Sequence, residues 1–259
     1  MAITKIMNTL IRNPLLLMLF FLVIATQSKS HAMDKHFFSS AHKVTLLELY
    51  TSEGCSSCPP AEKWMASLKA NSQLWKQFVP VAFHVDYWDY IGWKDPFARN
   101  DYGLRQREYR QLGNIRTVYT PGMMLNGREW QKWHYRRSVP TTGEIVGNLD
   151  VVLKGNKISA VFSPVDKKIT EWELNVAVLG FNLKSDVHSG ENAGRRLKQE
   201  FVVLGYLREG SNDGQWQVNL PRIKKEYANH TGLAVWVNMK GEQTPVQATG
   251  GWLKALDDR

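Results

Sequence analysis

Cysteine is scarce in this chain: Cys55 and Cys58 are the whole supply in 259 residues. No second CxxC and no closely spaced histidine pair accompanies them, so a four-ligand zinc site lacks its ligands. Beyond the N-terminal run no stretch is long and apolar enough to cross a membrane, which takes about 20 residues. Internal repeats and low-complexity tracts are lacking too. The basic residues are scattered, with short clusters such as Arg195-Arg196 and Lys224-Lys225. They read as a solvated face, and with no nucleic-acid motif beside them nucleic acid is not an expected partner.

What is present describes a packed, exported protein. Hydrophobic residues make up 43% of the chain, with ten tryptophans and ten phenylalanines. That supports one large core or two modest ones, not disorder. Lys5 and Arg12 precede an unbroken apolar run, LLLMLFFLVIA, at residues 15–25. Ser30-His31-Ala32 then carries small residues at the positions a signal peptidase reads. Residues 1–32 are therefore expected to be a signal peptide, cleaved after Ala32. An uncleaved N-terminal anchor is the alternative, and with no cysteine after the run a lipid anchor is not expected. The protein should be periplasmic or secreted, with no membrane association after cleavage. The formal charge is +9, and removal of Lys5, Arg12 and Lys29 takes it to +6, which favours acidic partners or anionic surfaces.

The order of elements suggests two domains. VTLLELY, residues 44–50, and VPVAFHV, residues 79–85, read as buried strands. Between them, Pro59 or Pro60 suits a first helical turn, and residues 61–69 carry Trp64, Met65 and Leu68 at helical spacing. Residues 96–112 are helix-compatible. Thr120-Pro121 precedes Met123-Met124-Leu125, and Asn126-Gly127 is a strong turn signal. Alternating strands and helices imply an α/β unit over residues 40–143. From residue 144 to the end, short β-prone runs are separated by Gly155-Asn156, Ser163-Pro164 and Asn212-Asp213-Gly214. EWELNVAVL alternates Trp172, Leu174, Val176 and Val178 against polar residues, the period of a half-buried strand. This half is expected to be a separate all-β, sandwich-like domain.

Export places the two thiols where disulfides persist. A structural disulfide normally closes a long loop, and this pair closes almost nothing. At a helix N-terminus the dipole and free N–H groups favour thiolate. Cys55, held outward by the strand, is the expected nucleophile, and Cys58, one turn into the helix, the resolving thiol. The competing reading is soft Cu(I) bound by two thiolates, with Met123, Met124 or His84 assisting. As ordinary core residues the methionines need no metal.

GNIRTVYTPGMMLNG resembles the proline loop of thioredoxin-like folds. That resemblance implies a cis Pro121 facing the CxxC, with the adjacent backbone, at Thr120, free to pair with a substrate strand. More narrowly, LYTSEGCSSCPPAE, FHVDYWDYIGWKDPFA, YTPGMMLNGRE and SGENAGRRL resemble successive segments of a bacterial family of secreted thioredoxin-like proteins, catalogued as a domain of unknown function. The resemblance implies a thioredoxin-like fold and a redox-capable CxxC, and no substrate. Thioredoxin itself carries Trp-Cys-Gly-Pro-Cys, whereas Gly54 and Ser56-Ser57 stand here, so its redox poise does not transfer.

Other candidates surround this core. His84 with Asp86, two residues on along the strand, would relay the resolving cysteine's proton, or simply form a structural hydrogen bond. Tyr87, Trp88, Tyr90 and Trp93 would line a substrate groove or cover the sheet. Glu53 opposes thiolate formation, with Lys63 and Arg128 as possible offsets. SGENAGRRL, residues 189–197, is either a surface hairpin loop or a loop that reaches the redox site. The expected function is exported thiol-disulfide exchange with a protein or small-molecule thiol or disulfide, needing no organic cofactor. A copper binder and an interaction protein with a vestigial disulfide are the alternatives.

Overall fold

Turn residues divide the apolar runs into fourteen strands and two α-helices among the described residues, 34–136, 138–169 and 171–253 of the computed structural model. The expected signal segment lies outside them. The first half supplies β1 (Lys35–Phe38), β2 (Thr45–Thr51), α1 (Pro59–Ser67), β3 (Phe78–His84), α2 (Asn100–Gln111), β4 (Gly122–Leu125) and β5 (Arg128–Glu129). The second half supplies β6 (Gly147–Lys154), β7 (Lys157–Pro164), β8 (Trp172–Gly180), β9 (Leu183–Asp186), β10 (Arg196–Gln199), β11 (Val202–Ser211), β12 (Gln215–Asn219), β13 (Thr231–Met239) and β14 (Pro245–Trp252). Pro59 and Pro60 open α1, where no intrahelical N–H is needed, and Ala61, Glu62 and Met65 form its buried face. Asn126 and Gly127, both at positive φ, make the tight β4–β5 turn. No described helix is long and apolar enough to cross a membrane.

The expected division into an α/β thioredoxin-like domain and a separate sandwich-like domain is wrong. One mixed sheet of eight strands, ordered β14-β13-β8-β11-β3-β2-β4-β5, runs through both halves. β11 pairs in parallel with β3 through Val202 and Ala82, and β2 is parallel to β3. β1 joins β6, β7 and β12 in a second sheet, so the start of the described chain belongs with its later half.

Burial explains the misreading. Glu48 and Tyr50 of β2 meet α2 on one face of the large sheet, and Thr51 meets α1 on the other. The four-stranded sheet covers that second face further along, against Trp172, Leu174 and Val176 of β8 and Leu233, Val235 and Val237 of β13. β8 is therefore not half-buried. Its Asn175 is fully buried, paired to Asn238 at 2.9 Å, so a polar residue mimicked a solvent face.

Two buried polar hubs join the halves. Gln247 of β14 accepts from Val44 N at 2.9 Å and donates to the carbonyls of Ser40, His42 and Gly147 at 3.1, 3.1 and 2.7 Å. Arg105 of α2 donates to Glu48 at 3.2 Å from Nε and 2.6 Å from Nη2, and to Tyr206 of β11 at 3.0 Å. Its guanidinium also lies over the rings of Phe83, Tyr109, Tyr206 and Trp236.

Because β3 sits between β2 and β11, residues 34–143 alone would expose its hydrogen-bonding edge and buried face. That fragment should not fold to a stable monomer. The chain from residue 34 should unfold in urea in one transition, with tryptophan fluorescence and far-UV circular dichroism superimposing. Two separated transitions would restore the two-domain picture.

Candidate functional site

The parallel strands β2 and β3 end side by side, Thr51 opposite His84. Loops beyond the carboxyl ends of parallel strands are where such sheets carry sites. The loop after β2 holds Cys55 and Cys58, which form a disulfide with Cα atoms 5.5 Å apart. Cys58 caps α1, its carbonyl accepting from Ala61 N and Glu62 N at 2.9 and 3.1 Å. Ser57 donates to Cys55 Sγ at 3.3 Å.

Cys55 does not point outward as expected. Both cysteines are 0% exposed, although Ser56 and Ser57 between them are exposed. The tip of the β9–β10 hairpin, residues 188–195, is bonded to this loop. Buried Asn192 donates through Nδ2 to the carbonyls of Glu53 at 2.8 Å and Cys55 at 3.0 Å. Glu191 accepts from Ser56 N at 2.9 Å. Ser189 donates to the Gly92 carbonyl at 2.6 Å, and His188 packs edge-on against Trp93. Gly190, at φ +73, makes the turn that lets this tip lie against Ile91.

The proline loop meets the same end. Gly122 pairs with Tyr50, so Pro121 falls beside Thr51, and the Thr120–Pro121 bond is cis. Trp88 donates to Thr120 Oγ1 at 2.7 Å. Its Cβ lies so close to Gly54 that a Cβ there would approach to 3.0 Å. Trp88 thus ties the proline loop to the cysteine loop, and α2 supports it as Gln106 donates to the Tyr119 carbonyl at 2.7 Å.

Beside the disulfide loop lies a buried titratable cluster. His84 Nδ1 pairs at 2.7 Å with Asp95, not with Asp86 as expected. The chain leaves strand geometry after His84, so Asp86 turns to Asn100 at the start of α2, at 3.1 Å. Asp95 also accepts from Glu53 N at 2.8 Å and Phe97 N at 2.9 Å. Trp93 donates to Glu53 at 3.0 Å. Glu62, in the first turn of α1, accepts from Thr51 at 2.6 Å and from Gln199 of β10 at 3.2 Å. Among the described residues no partner reaches His84 Nε2 or Glu53 Oε1, both buried.

These surroundings move the titrations. Burial, then the Asp95 charge, raises Glu53 to about 7. Burial opposes charge on His84, but Asp95, with Glu62 and Glu53, overcomes it and raises the imidazole to about 9. Burial also works against the Asp95 carboxylate, yet His84 and two backbone N–H groups hold it below its usual range. Burial raises Glu62.

Sequence reasoning therefore placed Cys55, Cys58, Thr120, Pro121, His84 and Trp88 in one neighbourhood, and wrongly added Asp86. It missed Asp95, Glu62 and Asn192 as members. Glu62 had a signal, one helical turn beyond Cys58. Lys63 and Arg128 are exposed, so neither offsets Glu53 from within the cluster. Met123 and Met124 are 1% and 2% exposed core residues of β4. No group of three or more His, Cys, Asp or Glu among the described residues has metal-holding geometry.

A family described as protein of unknown function, DUF1223, matches residues 46–238, which hold the disulfide, the proline loop and the hairpin. The chain belongs to the DUF1223 family. No curated protein matches it. The X-ray crystal structure of a protein from Agrobacterium tumefaciens is similar, with TM-score 0.60 and 22% identity, covering 84% of this chain and 98% of that one. HBP35 of Porphyromonas gingivalis is similar with TM-score 0.53 and 16% identity, over 85% of this chain and 77% of that one. At these identities the likeness concerns the fold alone. The DUF1223 match and the cysteine pair are consistent with a thiol-related role.

The cluster has a measurable pH signature. Between their ordinary values, 4.5 and 6.5, and the raised values of about 7 and about 9, Glu53 and His84 keep protons that the unfolded chain has released. The folded state binds more protons in both windows, so stability falls as pH rises through them. Asp95, being lowered, acts oppositely and only in acid. Urea midpoints should fall from about pH 5 to about pH 9, and Glu53→Gln should flatten the part below about pH 7. A Glu53→Gln profile parallel to wild type would remove Glu53 from the coupled cluster.

Proposed function

We propose that this protein is an exported thiol-disulfide exchange protein, in the periplasm or secreted, whose Cys55–Cys58 pair cycles between disulfide and dithiol. The observation that carries the reading is a disulfide spanning three positions, set on a helix N-terminus beside a buried His84–Asp95–Glu53–Glu62 cluster. As a staple so short a loop contributes little. The copper reading loses its methionines, which are packed in the core.

A partner thiolate attacks Cys55 Sγ, the S–S bond breaks, and Cys58 leaves as thiolate. The mixed disulfide on Cys55 is then attacked by a second thiol of the partner. The partner leaves oxidised by two electrons, and both cysteines end reduced. Run backwards, Cys55 attacks a partner disulfide and Cys58 resolves the adduct. Ser57, bonding to Cys55 Sγ, favours its thiolate, and exposed Ser56 and Ser57 put Cys55 next to the surface. The buried cluster is the nearby reservoir for the proton that the second thiol takes up or releases. Thr120 and Trp88 hold the proline loop where a substrate backbone would lie.

Cys58→Ser should accumulate a mixed disulfide with a thiol or disulfide partner, seen on non-reducing gels and released by dithiothreitol. Cys55→Ser should not. Equal trapping by both variants would overturn the assignment of attacking and resolving sulfur. A wild-type pair that cannot be cycled against any glutathione ratio would overturn exchange itself.

A further inference from the structure

The exchange reading meets an obstacle in the structure itself. Attack on a disulfide needs the incoming sulfur to reach one of the bonded sulfurs, and here neither cysteine has exposed surface. The element bonded to the cysteine loop comes from far along the chain and is held there by few hydrogen bonds. Asn192 binds the carbonyls of Glu53 and Cys55, Glu191 binds Ser56 N, and Ser189 binds the Gly92 carbonyl. Arg195 donates to Asn192 Oδ1 at 2.7 Å and so orients its amide with Nδ2 toward the cysteine loop. Most of the tip is otherwise wet: His188, Glu191, Ala193, Gly194 and Arg195 are exposed. Its root is not, because Val187, Leu197 and Gln199 are buried. A buried root with a polar, exposed tip is the construction of a segment that opens locally while the fold stays intact.

We infer that the tip of the β9–β10 hairpin is a lid on the disulfide, and that Asn192 is its latch. Opening means loss of the two Asn192 bonds and of the Glu191 and Ser189 bonds, with no change in the four-stranded or the eight-stranded sheet. Only then does Cys55 Sγ become reachable, and the Ser56 backbone, freed from Glu191, becomes available to a partner's main chain. The lid therefore discriminates by size. A small dithiol needs a brief, partial opening, whereas a protein thiol needs the tip displaced. This inference rests on the exchange reading above, and Asn192 acts in it as a positioning residue.

The test uses the oxidised chain from residue 34, with Asn192→Ala, Asn192→Asp and Glu191→Ala. Asn192→Asp keeps the size and the bond from Arg195 but loses the donor. Glu191→Ala removes one latch bond at an exposed position and keeps the lid testable if the buried Asn192 variants fold poorly. Reduction is timed with dithiothreitol and with a reduced CxxC redox protein, while hydrogen exchange is followed at the Ser56 amide. Given net hydrogen-bond contributions, the protein dithiol should react about tenfold faster with either Asn192 variant and about threefold faster with Glu191→Ala. Dithiothreitol should gain less, and Ser56 exchange should accelerate in step. Reduction at one common rate in variants that melt like wild type would overturn the lid and leave the exchange reading standing. A disulfide that neither reagent reduces in any folded variant would overturn the exchange reading instead.

Discussion

Arg105 is the constraint on which the rest of the structure depends. A fully buried guanidinium is costly unless its charge is matched, and here Glu48 on β2 matches it. Burial works against the charge of Arg105, and the Glu48 carboxylate overcomes it. The same side chain bonds Tyr206 on β11, and Tyr206 bonds Asn175 on β8. One polar chain thus runs from α2 to three strands, β2 of the first half and β11 and β8 of the second. It sets where α2 lies, and the next residue, Gln106, holds the backbone before Pro121. The position of the proline loop at the disulfide is thereby tied to a salt bridge in the core.

The site follows from where the parallel strands stop. β2 and β3 end together, so the cysteine loop and His84 meet without any long-range device. The loop after β3 then curls back, and Asp95 returns under Glu53 to take the imidazole. Four ionisable side chains buried together resist being charged all at once. His84 and Asp95 take the charges as a pair, while burial favours the neutral forms of Glu53 and Glu62. The physical content of the site is a closed disulfide with proton-carrying groups beside it.

Much of this was legible residue by residue. The strand before the cysteines, the proline-led helix, the second buried strand, the Thr-Pro step and the Asn-Gly turn all form near where period and turn chemistry place them. β1, β5, β9, β10 and β14 were missed. The first four are strands of two to four residues, too short for a period to show, and β14 is interrupted by Gly250 and Gly251. Asp86 is expected beside His84 only if a period of two continues past the last residue of β3, and it does not. SGENAGRRL is at once the end of a surface hairpin and a loop that reaches the cysteine loop.

By itself the sequence determined the local elements, because hydrophobic period, proline and glycine act over a few residues. It also determined which reactive groups are available, two cysteines three positions apart at a helix start. Only the tertiary structure decided that the two halves share one sheet, because pairing of β3 with β11 joins residues more than a hundred positions apart and leaves no local mark. It alone decided that the disulfide is buried and that Asn192 binds the cysteine loop. Those facts rest on single side-chain bonds to backbone carbonyls, and any loop of the same composition placed elsewhere would read the same in sequence.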